Sequence, residues 1–137
     1  MYFVKTSAEF SSAHRLVDYE GDCRKIHGHN WRVDFNVWSD KLDELGMVAD
    51  FKELREIAKQ FDHKLILQNC KENIDLFGDL ELQVGKNWIE WLEFTPTAEK
   101  LAEFFASETL NWFKHVKKVR VYVWENRTSN ASHECER

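Results

Sequence analysis

Residues Ile26 to Trp38 alternate between two kinds of side chain, and this alternation constrains the fold more than any other feature of the sequence. One side of the extended segment carries His27, His29, Trp31, Val33, Phe35 and Val37, and the other carries Asn30, Arg32, Asp34 and Asn36. Because successive side chains of a strand point to opposite faces, the pattern predicts a strand with one buried face. Such a strand requires a sheet that is covered on one side.

Three other segments are predicted to be strands. Residues Tyr2 to His14 alternate in the same way and place His14 at the end of the inward row. One face of the segment VKKVRVYVWEN carries Val119, Val121, Val123 and Glu125. A carboxylate therefore ends this apolar row. The last residues, ASHECER, are expected to form a short edge strand.

Two segments have helical spacing. Asp50 followed by Glu53 predicts an N-terminal cap for a helix from about Phe51 to Phe61. The inward residues of this helix are expected to be Phe51, Leu54, Ile57, Ala58 and Phe61. The sequence TPTAEK predicts a second helix that is capped by Thr95 or Thr97. Its inward residues are expected to be Ala98, Leu101, Ala102, Phe105 and Trp112.

The remaining features restrict the class of protein. A chain of 137 residues predicts a single domain over 1–137, with an inserted hairpin in 68–94 that turns around Gly85. The 19 basic residues are scattered and the net charge is -5, so no nucleic-acid partner is expected. The sequence shows no secretory segment and no apolar run of the ~18 residues that a membrane span needs, which predicts a cytoplasmic protein without a membrane partner. Three cysteines without framework spacing predict free thiols.

His14, His27 and His29 are predicted to form a metal site. Residues two apart on a strand point the same way, so His27 and His29 share one side. If the first two strands are antiparallel neighbours, the end of the first strand brings His14 beside them. Three neutral imidazoles favour zinc, and a fourth position left for water or substrate is typical of a catalytic site. The alternative is that these are ordinary half-buried histidines.

Other side chains are candidates for chemistry near this site. Cys23, four residues before His27, is either a fourth metal ligand or a reactive thiolate beside the metal. Asp62 and His63 form a candidate proton-transfer pair, with a helix-terminal histidine as the alternative. Glu125 faces the predicted core and needs a partner, which is either a guanidine-like ligand edge or an internal arginine.

Six motifs occur in a defined order: FSSAHRL, CRKIHGHNWRV, GMVADFKEL, FDHK, TPTAEKLA and VYVWEN. Together they resemble the 6-pyruvoyl tetrahydropterin synthase family, and in particular its bacterial branch, the 6-carboxy-5,6,7,8-tetrahydropterin synthases of queuosine biosynthesis. The three residues that separate Cys23 from His27 are typical of the queuosine branch. The resemblance covers roughly residues 3 to 66 and 94 to 128.

The resemblance implies an α+β tunnelling fold, in which an antiparallel four-stranded sheet carries two helices on one face in the order ββααββ. Three sheets would form a trimeric barrel, and two barrels would stack into a homohexamer with active sites between subunits. The implied roles are zinc ligands for His14, His27 and His29, a proton-abstracting thiolate for Cys23, an acid–base pair for Asp62 and His63, and pterin binding for Glu125 and Thr97.

The resemblance also implies a reaction on a small molecule. A zinc-dependent lyase of this kind would convert 7,8-dihydroneopterin triphosphate to 6-carboxytetrahydropterin with release of triphosphate and acetaldehyde. One alternative keeps the fold but makes 6-pyruvoyl tetrahydropterin or a folate-pathway pterin. Another is a non-catalytic binding module that zinc stabilises, with Cys23 as a fourth ligand.

Overall fold

The computed structural model describes residues 1–137 and arranges six strands in one sheet, together with three α-helices. The strands are β1 (Tyr2–His14), β2 (His27–Ser39), β3 (Lys64–Gln68), β4 (Ile89–Leu92), β5 (Lys118–Trp124) and β6 (Asn130–Glu136). The helices are α1 (Phe51–Lys59), α2 (Lys71–Val84) and α3 (Ala98–Trp112). The order across the sheet is β4-β3-β1-β2-β5-β6. None of the helices has the length and apolar character needed to cross a bilayer.

The neighbouring strands β1, β2, β5 and β6 form the antiparallel four-stranded unit that the sequence predicts. In the pairing of β1 with β2, His14 lies opposite His27 and Ser12 lies opposite His29. The sheet is wider than predicted, with six strands rather than four, because β3 and β4 run parallel to β1 and extend the sheet beyond it.

The segment 68–94 does not form the predicted hairpin. Its first half is α2, and its second half is β4, which pairs parallel with β3 after a helical crossover. The alternation in DLELQV suggests a strand, but leucine, glutamate and glutamine are strong helix formers. Gly85, expected at the hairpin turn, instead ends α2 with a φ of 110° and donates its N–H to the Glu81 carbonyl. The helix count is therefore three rather than two.

Helices α1 and α3 pack on one face of the sheet and enclose the hydrophobic core. The largest fully buried side chains there are Trp31, Phe35, Phe61, Phe105, Leu54 and Leu101. Thr97 caps α3 by accepting the Lys100 N–H, as predicted. Asp50 caps α1, although it accepts the N–H of Lys52 rather than that of Glu53.

Two aromatic residues predicted to point inward are exposed instead. Phe51 is 45% exposed and Trp112 is 64% exposed. Phe51 is the first residue of α1, and the buried residues of that helix begin only at Leu54. Trp112 is the last residue of α3, and the buried residues of that helix end at Thr109. Helical spacing predicts the side of a helix on which a residue lies, but not where the packing partner ends.

Helix α2 lies against the opposite face of the sheet, at β3 and β4. The parallel register places Leu67 beside Trp91, on the face opposite Ile66. Leu67 is fully buried but lies outside the main core cluster. The Trp91 indole Nε1 donates to the carboxylate of Glu81 in α2 at 2.8 Å. The extra strands therefore have a covering helix of their own.

Candidate active site

Three histidines converge at the end of the sheet where β1 ends and β2 begins. His14 is the last residue of β1 and lies directly opposite His27, the first residue of β2. His29 lies two residues further along β2, so its side chain is on the same face as that of His27. The candidate ligand nitrogens of the three all lie within 4.8 Å of one another. The predicted proximity of these histidines is confirmed.

Backbone carbonyls orient two of the imidazoles. His14 Nδ1 lies 2.7 Å from the Pro96 carbonyl oxygen, and His27 Nδ1 lies 2.7 Å from the Lys25 carbonyl oxygen. Because a carbonyl only accepts hydrogen bonds, each Nδ1 carries the proton and each Nε2 keeps a free lone pair. Carbonyls that accept from the second ring nitrogen are the usual orienting partners of metal-binding histidines.

Two of the ligand nitrogens are buried without a hydrogen-bond partner. They are Nε2 of His14 and Nε2 of His29. Buried nitrogen atoms are normally satisfied, so a pair of unpartnered lone pairs beside a third imidazole requires an explanation. Trp31 packs edge-on against both rings, with centroids 5.0 Å from each, and supplies no hydrogen bond to either. The donor set fits a metal ion of the kind that imidazole nitrogens bind.

Burial disfavours the charged form of two of these imidazoles, those of His14 and His29. Burial lowers the pKa of His14 from 6.5 to about 4; the Pro96 hydrogen bond opposes the shift, and the two neighbouring imidazoles add to it. Burial also lowers the pKa of His29, against the opposing attraction of the Glu125 charge. A metal requires the neutral imidazole, so burial favours the protonation state that metal binding needs at His14 and His29.

Cys23 lies in the loop between β1 and β2, in a single 3-10 turn over Asp22–Arg24. Its side chain is partly buried and its carbonyl accepts the N–H of Leu16 at 2.9 Å. The thiol is not part of the histidine group whose ligand atoms lie within 4.8 Å of one another. This geometry gives no support to a closed four-ligand cage.

Asp62 and His63 form a hydrogen-bonded pair in the turn between α1 and β3. Asp62 Oδ1 accepts the Ser11 N–H at 2.8 Å, and the His63 N–H donates to the Ser11 carbonyl at 2.6 Å, so the turn is clamped to β1. The Ser11 hydrogen bond holds the pKa of Asp62 below its ordinary value, and His63 contributes in the same direction. The other carboxylate oxygen of Asp62 lies 3.0 Å from His63 Nδ1, while the imidazole is 82% exposed.

The backbone of His63 has a φ of 59°, which is uncommon for a residue with a side chain. The turn thus presents an imidazole to solvent with an ionised carboxylate behind it. That arrangement suits proton transfer, because the carboxylate orients the ring.

Glu125 directly follows β5 and is partly buried on the face that carries the histidines. The ion pairs of the chain do not include it, so the internal arginine partner considered as an alternative is absent. Thr97 caps α3 and follows Pro96, whose carbonyl holds His14. Thr97 is thereby placed beside the histidine group by the chain itself.

Two clefts meet at His29. One has a volume of about 700 Å³ and is lined by His29 and Glu125 together with Arg32 and Arg127. The other, of about 460 Å³, is lined by His29 and His63. Within one chain, His29 therefore shares one cleft with Glu125 and the other with His63, and neither cleft contains both of these residues. Cys23 lines neither cleft.

The backbone groups that orient the site could not be found from the sequence. The carbonyls of Pro96 and Lys25 and both backbone groups of Ser11 carry this function. Every residue has such groups, so no residue type marks them. The one available signal is Pro96 itself, whose place at the start of a helix fixes the backbone beside Thr97.

Comparison with known proteins gives consistent matches. The sequence profile of the family described as 6-pyruvoyl tetrahydropterin synthase matches residues 3–136. A Pyrococcus horikoshii protein provisionally named 6-carboxy-5,6,7,8-tetrahydropterin synthase is 37% identical over 142 aligned residues, covering 96% of this chain and 87% of that protein. A 6-carboxy-5,6,7,8-tetrahydropterin synthase of Aquifex aeolicus is 33% identical over 124 aligned residues, covering 83% and 76% respectively.

A solved structure shares the fold. The 6-pyruvoyl tetrahydropterin synthase of Plasmodium vivax superposes with a TM-score of 0.69 at 18% identity, covering 99% of both chains. At this identity the likeness shows the fold alone, and it confirms the predicted tunnelling fold.

Proposed function

Because the chain belongs to the 6-pyruvoyl tetrahydropterin synthase family, we propose that it is a zinc-dependent lyase that makes 6-carboxy-5,6,7,8-tetrahydropterin for queuosine biosynthesis. The substrate is 7,8-dihydroneopterin triphosphate, which with water yields the carboxypterin, triphosphate and acetaldehyde. The convergence of three imidazoles, two of them with buried and unpartnered Nε2 atoms, is the observation that carries the proposal. The names of the Pyrococcus and Aquifex relatives favour the carboxypterin over other products.

His14, His27 and His29 would hold the zinc ion through their Nε2 atoms. Bound zinc supplies Lewis acidity, which makes C–H and O–H bonds next to substrate oxygens more acidic. The Pro96 and Lys25 carbonyls keep two of the imidazoles in the tautomer that such binding requires. This role is independent of which pterin the enzyme makes.

Cys23, Asp62 and His63 move protons in the proposed reaction. Cys23 acts as a thiolate that removes a proton from the substrate side chain. His63 exchanges a proton on the other side, and Asp62 orients its Nδ1 across a 3.0 Å contact. Because Asp62 is itself fixed by Ser11, the imidazole is held in place relative to β1.

Glu125 and Thr97 bind the pterin in this proposal. Glu125 has no arginine partner within the chain, so its carboxylate is available for the two parallel N–H donors of the pterin's guanidine-like edge. Thr97 contributes to the pocket wall at the start of α3. Both residues lie at the end of the sheet where the histidines converge.

The active unit is proposed to be a homotrimer or a hexamer built from two trimers. Within one chain Cys23 does not line the cleft that contains His29 and His63. A site shared between subunits would bring a Cys23 from a second copy to this cleft. Association would also cover the exposed edges of β4 and β6.

Product identification tests the proposal. The zinc-loaded protein is incubated with 7,8-dihydroneopterin triphosphate, and the mixture is analysed by mass spectrometry for pterins, triphosphate and acetaldehyde. The carboxypterin and acetaldehyde are expected, with neither formed by a Cys23→Ala control that keeps its zinc. A product with the mass of 6-pyruvoyl tetrahydropterin would show that the protein is a 6-pyruvoyl tetrahydropterin synthase and not a carboxypterin synthase. Absence of any pterin product and of triphosphate would remove the enzyme proposal.

A further inference from the structure

Polar contacts around Arg15 join the start of α2 to the turn that carries Cys23. Arg15 is 6% exposed, and its guanidinium lies over the Phe77 ring at 5.9 Å from the centroid. Its Nη1 donates to the side-chain oxygen of Asn73 at 2.6 Å, and its Nε donates to the Arg24 carbonyl at 2.9 Å. A buried guanidinium therefore bridges α2 and the residue directly after Cys23.

Glu72 provides a second link between the same two elements. Its carboxylate accepts from Arg24 Nη2 at 2.8 Å and lies 3.6 Å from Arg15 Nη1. The hydrogen bond from Arg24 holds the pKa of Glu72 below its ordinary value, so the carboxylate is ionised at neutral pH. Asn73 is fully buried and donates to the Gln68 carbonyl at 2.9 Å, which fixes this end of α2 to the sheet.

The turn that carries Cys23 has few other attachments to the fold. It spans Asp22–Arg24 and contains no fully buried residue. The Leu16 N–H donates to the Cys23 carbonyl, and the remaining backbone bonds of the turn are local. A short exposed turn of this kind opens readily unless other elements hold it. The side chains of α2 supply such support from the segment 71–84.

We propose that α2 is a positioning element that holds the Cys23 thiol for proton transfer, and that Glu72 and Asn73 are its positioning residues. This role rests on the proposed function, because it is Cys23 as a proton-abstracting thiolate that gives the turn its importance. Glu72 and Asn73 act through Arg24 and Arg15 and do not themselves touch substrate.

Alkylation of Cys23 measures the proposed support without any assumption about the substrate. The full-length zinc-loaded protein is treated with iodoacetamide, and each cysteine is quantified by peptide mass spectrometry. Glu72→Ala is expected to raise the alkylation rate of Cys23 by about three- to tenfold, because the turn opens more often. Its kcat should fall by a similar factor while KM and zinc content stay those of the parent, since Glu72 contacts neither the histidines nor the clefts.

Asp75→Ala is the matched control on the same helix. It removes the ion pair between Lys71 and Asp75, which has no contact with the Cys23 turn, and it should leave the alkylation rate and kcat unchanged. In the same digest, Cys70, at the N-cap position of α2, reports on the start of α2, and Cys135, in β6, reports on the rest of the fold. If α2 stays folded, the alkylation rates of Cys70 and Cys135 in Glu72→Ala and in Asp75→Ala should match those of the parent protein.

A pair of substitutions at Asn73 gives an independent readout. Asn73→Ala removes the acceptor for Arg15 and the donor to Gln68, and it should lower kcat by about tenfold. Asn73→Asp keeps an acceptor for Arg15, so it should recover part of kcat even though the bond to Gln68 is lost. Glu72→Ala, on the surface, keeps the test decisive should Asn73→Ala fail to fold.

Two results would overturn the positioning role: parental alkylation and kcat in Glu72→Ala, or equal effects of Glu72→Ala and Asp75→Ala. Failure of the proposed function looks different. If the parent makes no pterin product but Glu72→Ala still accelerates Cys23 alkylation selectively, α2 supports the turn and only the assigned reaction is wrong.

Discussion

Acidification from pH 7 to pH 5 is expected to destabilise the metal-free protein through His14. The fold lowers the pKa of this imidazole from 6.5 to about 4 because the ring is buried and two other imidazoles adjoin it. The unfolded chain therefore takes up a proton below pH 6.5 that the folded chain refuses until about pH 4. The stabilisation that depends on a neutral His14 imidazole is fully present above pH 6.5 and is lost as the pH falls towards 4.

The magnitude follows from the two pKa values of His14. The difference between a pKa of 6.5 and a pKa of about 4 corresponds to about 3 kcal/mol of the free energy of unfolding, and about 2 kcal/mol of this is lost between pH 7 and pH 5. His29 adds to the loss, since burial lowers its pKa in the same direction. The carboxylates with lowered pKa values, such as Asp34 and Asp62, contribute mainly at lower pH, where unfolded carboxylates become protonated.

Urea unfolding at pH 7, 6 and 5 in the presence of a metal chelator measures this effect. His14→Asn removes the titrating group and should be less stable at pH 7, but its free energy of unfolding should fall by about 2 kcal/mol less than that of the parent by pH 5. His133→Asn, in edge strand β6, is the matched control and should keep the acid sensitivity of the parent. Equal losses in the parent and in His14→Asn would refute the assignment of this acid sensitivity to the buried imidazole.

Four substitutions test the proposed roles of single residues. His29→Ala should weaken zinc binding by more than ~10–100-fold, which is the typical effect of substituting a residue that only orients a metal ligand. Competition with a chelating dye measures the affinity, and an unchanged affinity would contradict the three-histidine site. Cys23→Ala should retain the zinc content of the parent while kcat falls by ~10²–10⁴-fold, whereas release of zinc would identify the sulfur as a fourth ligand. His63→Ala should lower kcat in the same range and remove one limb of the pH–rate profile, and a profile that keeps both limbs would count against proton transfer by this residue. Glu125→Gln should raise KM by ~10–100-fold, because charge-assisted hydrogen bonds contribute about 1.5–3 kcal/mol each; a parental KM would exclude a role in pterin binding.

The sequence predicts the centre of this protein well because the relevant patterns are local. Alternation along β1 and β2 places His14, His27 and His29 on one face, and antiparallel pairing then brings them together. The residues that follow narrowed the cap of α3 to Thr95 or Thr97, and the structure selects Thr97. In each case the residue types and their spacing contain the information that the fold uses.

The segment 68–94 shows where local patterns fail. Leu80 to Val84 alternate in the sequence but lie in the last turns of α2, which forms the crossover between the parallel strands β3 and β4. Glu81 in α2 accepts a hydrogen bond from Trp91 in β4, a contact between two elements that are separate in the sequence. That contact depends on where β4 lies in the sheet, which no short window of sequence states.

Residue spacing specifies which side of each strand or helix a residue occupies, and with that the convergence of the three imidazoles. Packing between distant segments determines which of those sides is covered. Trp112 continues an apolar stripe yet is exposed, while Arg15 has a charged side chain yet is buried against α2. Packing also fixes the tautomers of His14 and His27, through carbonyls that any residue could supply. Periodicity describes the direction of a side chain over a few residues, whereas burial depends on partners that lie far away in the chain and backbone hydrogen bonds involve groups that every residue has.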